Sequence, residues 1–208
     1  MQSRIHALSK IAASLLLCGL AAHASAAGTV VINTYGPGDD VSGWASQLGQ
    51  GFNPHQNLAV AFDIGSATTI QSLLTSIDGL GGVTVGIMAR SGAVPTGNSW
   101  LYSTHLTDPW ANTALAPAGW NLAAGSYWLV AQADAGFTGQ WQSGTDSPSA
   151  AWAFSTAGNW QAVNTGFTGA PATRITVTSA VPEPSTYGLM ALGILLVGAR
   201  LRRNRQQG

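Results

Sequence analysis

The chain has 208 residues with eight basic and eight acidic side chains, so it is formally neutral; 8% of its residues are charged and 46% hydrophobic. That balance excludes a basic nucleic-acid binder and an acidic disordered tail, since each needs a large excess of one charge. Twenty-six glycines and eight tryptophans indicate a folded, turn-rich chain instead.

At the N-terminus, Arg4 and Lys10 form a positive opening and Ile11 to Leu20 an apolar run. The small-residue sites Ala22-His23-Ala24 and Ala24-Ser25-Ala26 follow. This is the order of a cleavable secretory signal, here residues 1–27. The run is too short to span a bilayer, which takes about 20 apolar residues. The Sec translocon and signal peptidase are the expected handlers. Cys18, the single cysteine, lies inside the signal. Lipidation is its alternative fate, but Leu17 stands where such sites usually carry a small residue. Cleavage leaves a mature chain without cysteine, hence without a disulfide, a thiolate zinc site or a cysteine nucleophile.

Residues 28–180 form the expected ectodomain, 153 positions and enough for one core. Leu58, Val60, Phe62 and Ile64 alternate with Ala59, Ala61 and Asp63, and Val83, Val85 and Ile87 with Thr84, Gly86 and Met88. The same period recurs at Tyr127, Leu129 and Ala131 and at Ile175 and Val177. Turn chemistry, as at Ser91-Gly92 and Ala157-Gly158-Asn159, separates these runs. The pattern predicts an all-β fold, an antiparallel β-sandwich of jelly-roll-like type. Ile70, Leu73, Leu74 and Ile77 fall at helical spacing, yet Thr68, Thr69, Ser72, Thr75 and Ser76 are poor helix formers and Asp78-Gly79 is a turn signal. A strand is the reading adopted there, with a single surface helix as the alternative.

Two arginines (Arg90, Arg174) against seven aspartates give this body a net charge of −5, which repels phosphate backbones and argues against a nucleic-acid partner. Chemical signatures are sparse. Asp39 and Asp40 follow Gly36-Pro37-Gly38, so a solvated turn is the ordinary reading. Calcium ligation is the sharper one, although no D-x-D-x-D-G spacing supports it. His55 and His105 lie 50 residues apart without a metal-ligand pattern. Ser143 to Ser147 lacks a nucleophile elbow, and Gly79 to Gly82 lacks the lysine of a phosphate loop. No catalytic residue, resident metal or cofactor is expected. Trp100, Trp110, Trp120, Trp141 and Trp160 lie beside turn residues. Their ordinary role is to pack loops onto a sandwich; the functional alternative is a sugar-stacking platform with Asn, Gln and Asp nearby.

The C-terminus is the most specific part. Val181-Pro182-Glu183-Pro184 precedes an uncharged apolar stretch from Ser185 to Ala199, which ends at Arg200, Arg202, Arg203 and Arg205. The prolines prevent a helix from beginning before Pro184. Fifteen residues make a helix of about 22 Å, short for a hydrocarbon core of about 30 Å unless flanking arginines snorkel. The arginines remain cytoplasmic by the positive-inside rule, which puts the body outside.

Together these three parts resemble a PEP-CTERM sorting signal, covering roughly Val181 to Arg205. The resemblance implies recognition by an exosortase, a membrane transpeptidase-like enzyme, with Pro182, Glu183 and Pro184 as the element it reads. It further implies a Gram-negative host that makes extracellular polysaccharide, a transient stay in the inner membrane, and delivery to the cell surface or matrix. The body is also similar to the choice-of-anchor β domains found upstream of such tails, most like choice-of-anchor R. That similarity rests on Asn33 to Gly38, Leu58 to Phe62, Ile70 to Leu80, Val83 to Ile87, Gly92 to Pro95 and Gly125 to Leu129. The expected organisation is a signal helix in 1–27, an ectodomain in 28–180, and a tail in 181–208 with a short transmembrane helix. The expected function is a non-enzymatic structural or interaction role, with lectin-like polysaccharide binding as the alternative. A secreted aspartate hydrolase ranks last, because the body holds no glutamate before Glu183.

Overall fold

Alternation of large apolar and small or polar residues commits each run to a pleated segment with one face turned inward. The computed structural model describes residues 28–51, 55–97, 99–145, 150–163, 169–179, 188 and 191–195. Along the chain the strands are β1 (Thr29–Asn33), β2 (Val41–Gly49), β3 (Gln56–Ile64), β4 (Thr68–Thr75), β5 (Ile77–Leu80), β6 (Gly82–Ala89) and β7 (Trp100–Thr107). There follow β8 (Thr113–Leu115), β9 (Asn121–Leu122), β10 (Gly125–Ala133), β11 (Thr138–Gly144), β12 (Trp152–Thr156), β13 (Asn159–Val163) and β14 (Thr173–Ser179). All lie in one compact unit, Ala27–Ala180.

The strands pair antiparallel in two sheets that form a curled sandwich, as the sequence pattern predicts. One sheet runs β1-β14-β4-β8, with β9 also on β4; the other runs β5-β11-β2-β3-β10-β6-β7, with β12 on β3 and β13 on β12. Register explains the core. Leu129 of β10 stands opposite Val60 on one side and Ile87 on the other, and Ala131 opposite Leu58 and Val85. These rows meet Ile70, Leu73, Ile175 and Val177 of the smaller sheet in a single apolar cluster. Each valine, leucine and isoleucine side chain among them contributes roughly 1.5–3 kcal/mol by leaving water. Phe62 and Tyr127, also cross-strand partners, stack with centroids 5.6 Å apart.

The opposite face of β3 and β10 is buried too. Ala59, Ala61, Met88, Trp128, Val130 and Ala153 form a second cluster, against which Trp100 and Trp160 pack. The Arg90 guanidinium lies 5.0 Å from the Trp128 ring centroid, a cation–π contact.

The helical spacing of Ile70, Leu73, Leu74 and Ile77 has a β explanation. Against β14 the register shifts, with Ile70 opposite Val177 but Ser72 opposite Thr176, so Gln71 is an extra residue in a bulge. The bulge reverses the alternation, and Ile70 and Leu73 therefore share the inner face. At Ser76 the chain passes from the smaller sheet to the larger: Ser76 N donates to Ala172 O, and Gln142 N donates to Ser76 O. Ile77 then rejoins the same core from β5. The turn foreseen at Asp78-Gly79 falls two residues later, at Gly81 with φ +100°, because Asp78 and Gly79 pair with Gln140 and Gly139 of β11. The turn at Ala157-Gly158 lies where the sequence puts it, with both residues at positive φ as a two-residue hairpin requires.

Tyr35 closes the outer side of the smaller sheet together with Leu74 and Ala172, and it is fully buried. Burial raises its phenol well above the ordinary tyrosine value, and the neighbouring Asp39 adds to this, while Ser76 and Arg174 act in the opposite direction. The folded protein thus keeps a neutral phenol where an unfolded chain ionises, from about pH 10 upward. Above that pH the unfolded state binds fewer protons, so stability, constant below it, should fall by up to about 1.4 kcal/mol per pH unit. Urea unfolding between pH 8 and pH 11 should show this fall in the parent and a shallower one in Tyr35→Phe.

Of the chain ends, 1–26 and 181–208, the structure describes Gly188 and residues 191–195, all helical and exposed. Among the described residues no helix is long and apolar enough to cross a membrane. The signal segment, Pro182, Glu183, Pro184, Arg200, Arg202, Arg203 and Arg205, and most of the expected membrane helix lie outside the described residues.

Candidate functional site

Among the described tryptophans, two are well exposed, Trp110 at 77% and Trp44 at 71%. An indole left in water forfeits a large apolar burial, so its surroundings matter. Trp110 sits in the connection from β7 to β8, residues 108–112. Asp108 N donates to Gly81 O (2.9 Å) and Gly81 N to Asp108 Oδ1 (2.7 Å), which clamps the loop to the β5–β6 turn. Gly79 N donates to Pro109 O at 3.2 Å and Asn112 N to Thr75 O at 3.0 Å. Thr113 bonds Trp110 O through both its amide (3.2 Å) and its hydroxyl (2.7 Å). Asp108 (φ 46°) and Asn112 (φ 62°) bracket the segment in the left-handed region, which Asp and Asn tolerate better than most residues. Main-chain bonds therefore hold the loop while the indole is left outside.

Beside this loop runs a groove of about 340 Å³. Its walls combine apolar groups, Ile77, Leu106, Pro109 and Trp110, with the polar residues Thr75, Thr107, Asp108, Thr113 and His105. Among the described residues no lysine or arginine lines it. His105 Nε2 lies 2.8 Å from Asp134 Oδ2, both side chains about half exposed. The pair crosses β6 above Gly82, where a Cβ atom would stand 2.3 Å from Asp134 Oδ2 and 2.7 Å from His105 Nε2. Sequence spacing gives no sign of this pairing, because His105 lies on β7 and Asp134 just past the end of β10, with β6 between those strands.

The five-tryptophan platform does not hold together. Trp141 is fully buried and its Nε1 donates to Ala172 O at 2.9 Å; Trp120 is 7% exposed and stacks on Tyr102. Neither can present a face to a sugar, since both indoles fill the core. Trp100 and Trp160 are half-buried against the second cluster, which leaves Trp110 as the member that faces water. Trp44, next to Gly43 in β2 and not one of those five, is the other. Of the two weak calcium candidates, Asp39 and Asp40, the first is already engaged. The Asp39 carboxylate pairs with the Arg174 guanidinium through Oδ1. Among the described residues no group of three or more His, Cys, Asp or Glu could hold a metal ion.

One family model matches the chain: the PEP-CTERM protein-sorting motif, over residues 180–203. No curated protein matches it. The matched segment contains Pro182, Glu183 and Pro184, the apolar stretch, and Arg200, Arg202 and Arg203 of the basic cluster. The chain thus carries a PEP-CTERM sorting motif over residues 180–203, which indicates an exported protein sorted by an exosortase.

Proposed function

We propose that residues 28–180 act outside the cell as a non-enzymatic interaction domain of the cell surface or extracellular matrix, a domain of the choice-of-anchor kind. The observation that carries this reading is the sorting motif at 180–203, directly behind an antiparallel sandwich. A body without cysteine is suited to that position, because its core depends on no disulfide and no reducing compartment. The signal segment starts export, the apolar stretch pauses the chain in the inner membrane with its arginines inside, and the exosortase then acts near Pro184. Intact-mass measurement of the protein from native cells tests this. Loss of everything beyond about Pro184 in the parent strain, with a full tail in a strain lacking the sorting enzyme, is the expected result. A full tail in both strains would reduce the segment to a plain membrane anchor.

A second reading, lectin-like contact with polysaccharide, is favoured by one observation: the exposure of Trp110 on a main-chain-bonded loop beside a polar groove.

A further inference from the structure

We infer that the groove beside Trp110 is a subsite for a neutral pyranose unit of an extracellular polysaccharide; this rests on the lectin-like reading and narrows it to one place and one ligand class. The argument begins with shape and chemistry. A pyranose has an apolar C–H face and a rim of hydroxyls, so it needs an aromatic plane next to small polar groups. Trp110 supplies the plane, 77% exposed. Thr107, Asp108 and Thr113, all exposed, supply hydroxyl and carboxylate groups along the same groove. Thr113 Oγ1 spends its proton on Trp110 O and so remains an acceptor toward a ligand hydroxyl. The volume of about 340 Å³ lies at the small end of ligand sites, suited to a sugar unit of a longer chain.

Charge selects the ligand further. With no lysine or arginine among the described residues of the lining and Asp108 at the loop, a uronic-acid or sulfated polymer would meet uncompensated negative charge. The whole body, at −5, repels it as well. The loop is bonded through Gly79, Gly81 and Thr75 before any ligand arrives, so little ordering is lost on binding.

The test is affinity electrophoresis of the full-length protein in detergent through gels containing hydroxyethylcellulose, dextran or alginate. Retardation is expected in at least one neutral polymer and not in alginate. Trp110→Ala should weaken it at least tenfold, Trp110→Tyr should restore part of it, and Trp44→Ala should leave it unchanged. Because the loop's bonds are made by main chain, Asp108 and Thr113, the melting temperature of Trp110→Ala should match the parent's. Equal retardation of parent and Trp110→Ala, retardation in alginate alone, or none in either neutral polymer would overturn the assignment. Protease shaving of the same cells separates the two levels: surface-accessible protein that no polymer retards sinks the subsite alone, whereas inaccessible protein sinks the extracellular reading.

Discussion

Trp141→Ala should destabilise the body by about 3–5 kcal/mol, the range for truncating a large buried aromatic side chain. For a domain of this size that corresponds to a fall in Tm of roughly 6–20 °C. The indole is fully buried in the main cluster, opposite Ile77 of β5 and Ser46 of β2. Its Nε1–H bond to Ala172 O ties β11 to the segment leading into β14, at the corner where Ser76 changes sheets. Alanine removes the packing and the donor together, although Ala172 O keeps the Ser76 amide at 3.2 Å. Thermal unfolding followed by circular dichroism measures the effect. Any loss of polysaccharide retention in this variant is then a folding defect, whereas Trp110→Ala, with its indole in water, reads out ligand contact. A Trp141→Ala protein that melts with the parent would contradict the core assignment.

Gly144→Ala is expected to be nearly as harmful for the opposite reason, excess volume. A Cβ atom at Gly144 would lie 1.5 Å from the Thr34 carbonyl oxygen and 2.5 Å from its carbon. Both are main-chain atoms and cannot rotate aside. Thr34 is itself held, its amide donating to Thr173 O at 2.9 Å and its hydroxyl to Pro171 O at 2.8 Å. Overpacking costs about 1–3 kcal/mol and more when the backbone must move, so the upper end applies. Gly92→Ala is the matched control: open space surrounds its Cβ position, and its effect should stay within about 0.5 kcal/mol. Parallel urea titrations of the two variants give the comparison, and equal midpoints would refute the close approach.

What could be read from the chain follows from how local each determinant is. The runs in β3, β6, β10 and β14 declare themselves because their inward rows are unbroken, and Ala157-Gly158 because a two-residue hairpin demands positive φ. The segment 68–80 was ambiguous because a bulge at Gln71 and a corner at Ser76 mimic a 3.6-residue period. Neither irregularity has a local signature; both arise from pairing with β14 and β11, distant in sequence. The candidate site was half legible. Composition drew notice to tryptophans near turns, but a turn neighbour does not reveal which way an indole faces, and Trp120 and Trp141 turned inward while Trp110 did not. The His105–Asp134 pair depends on Gly82 in the strand between them, a relation that register alone creates.

The most direct measurement of the central claim is protease shaving of whole cells, with the body detected by antibody, in the parent and in a variant with Pro182, Glu183 and Pro184 replaced by alanine. Digestion in intact parent cells, with the variant protected until the outer envelope is breached, is the result predicted for tail-directed delivery of this sandwich to the exterior. Protection of the parent body in intact cells and in spheroplasts alike would contradict it.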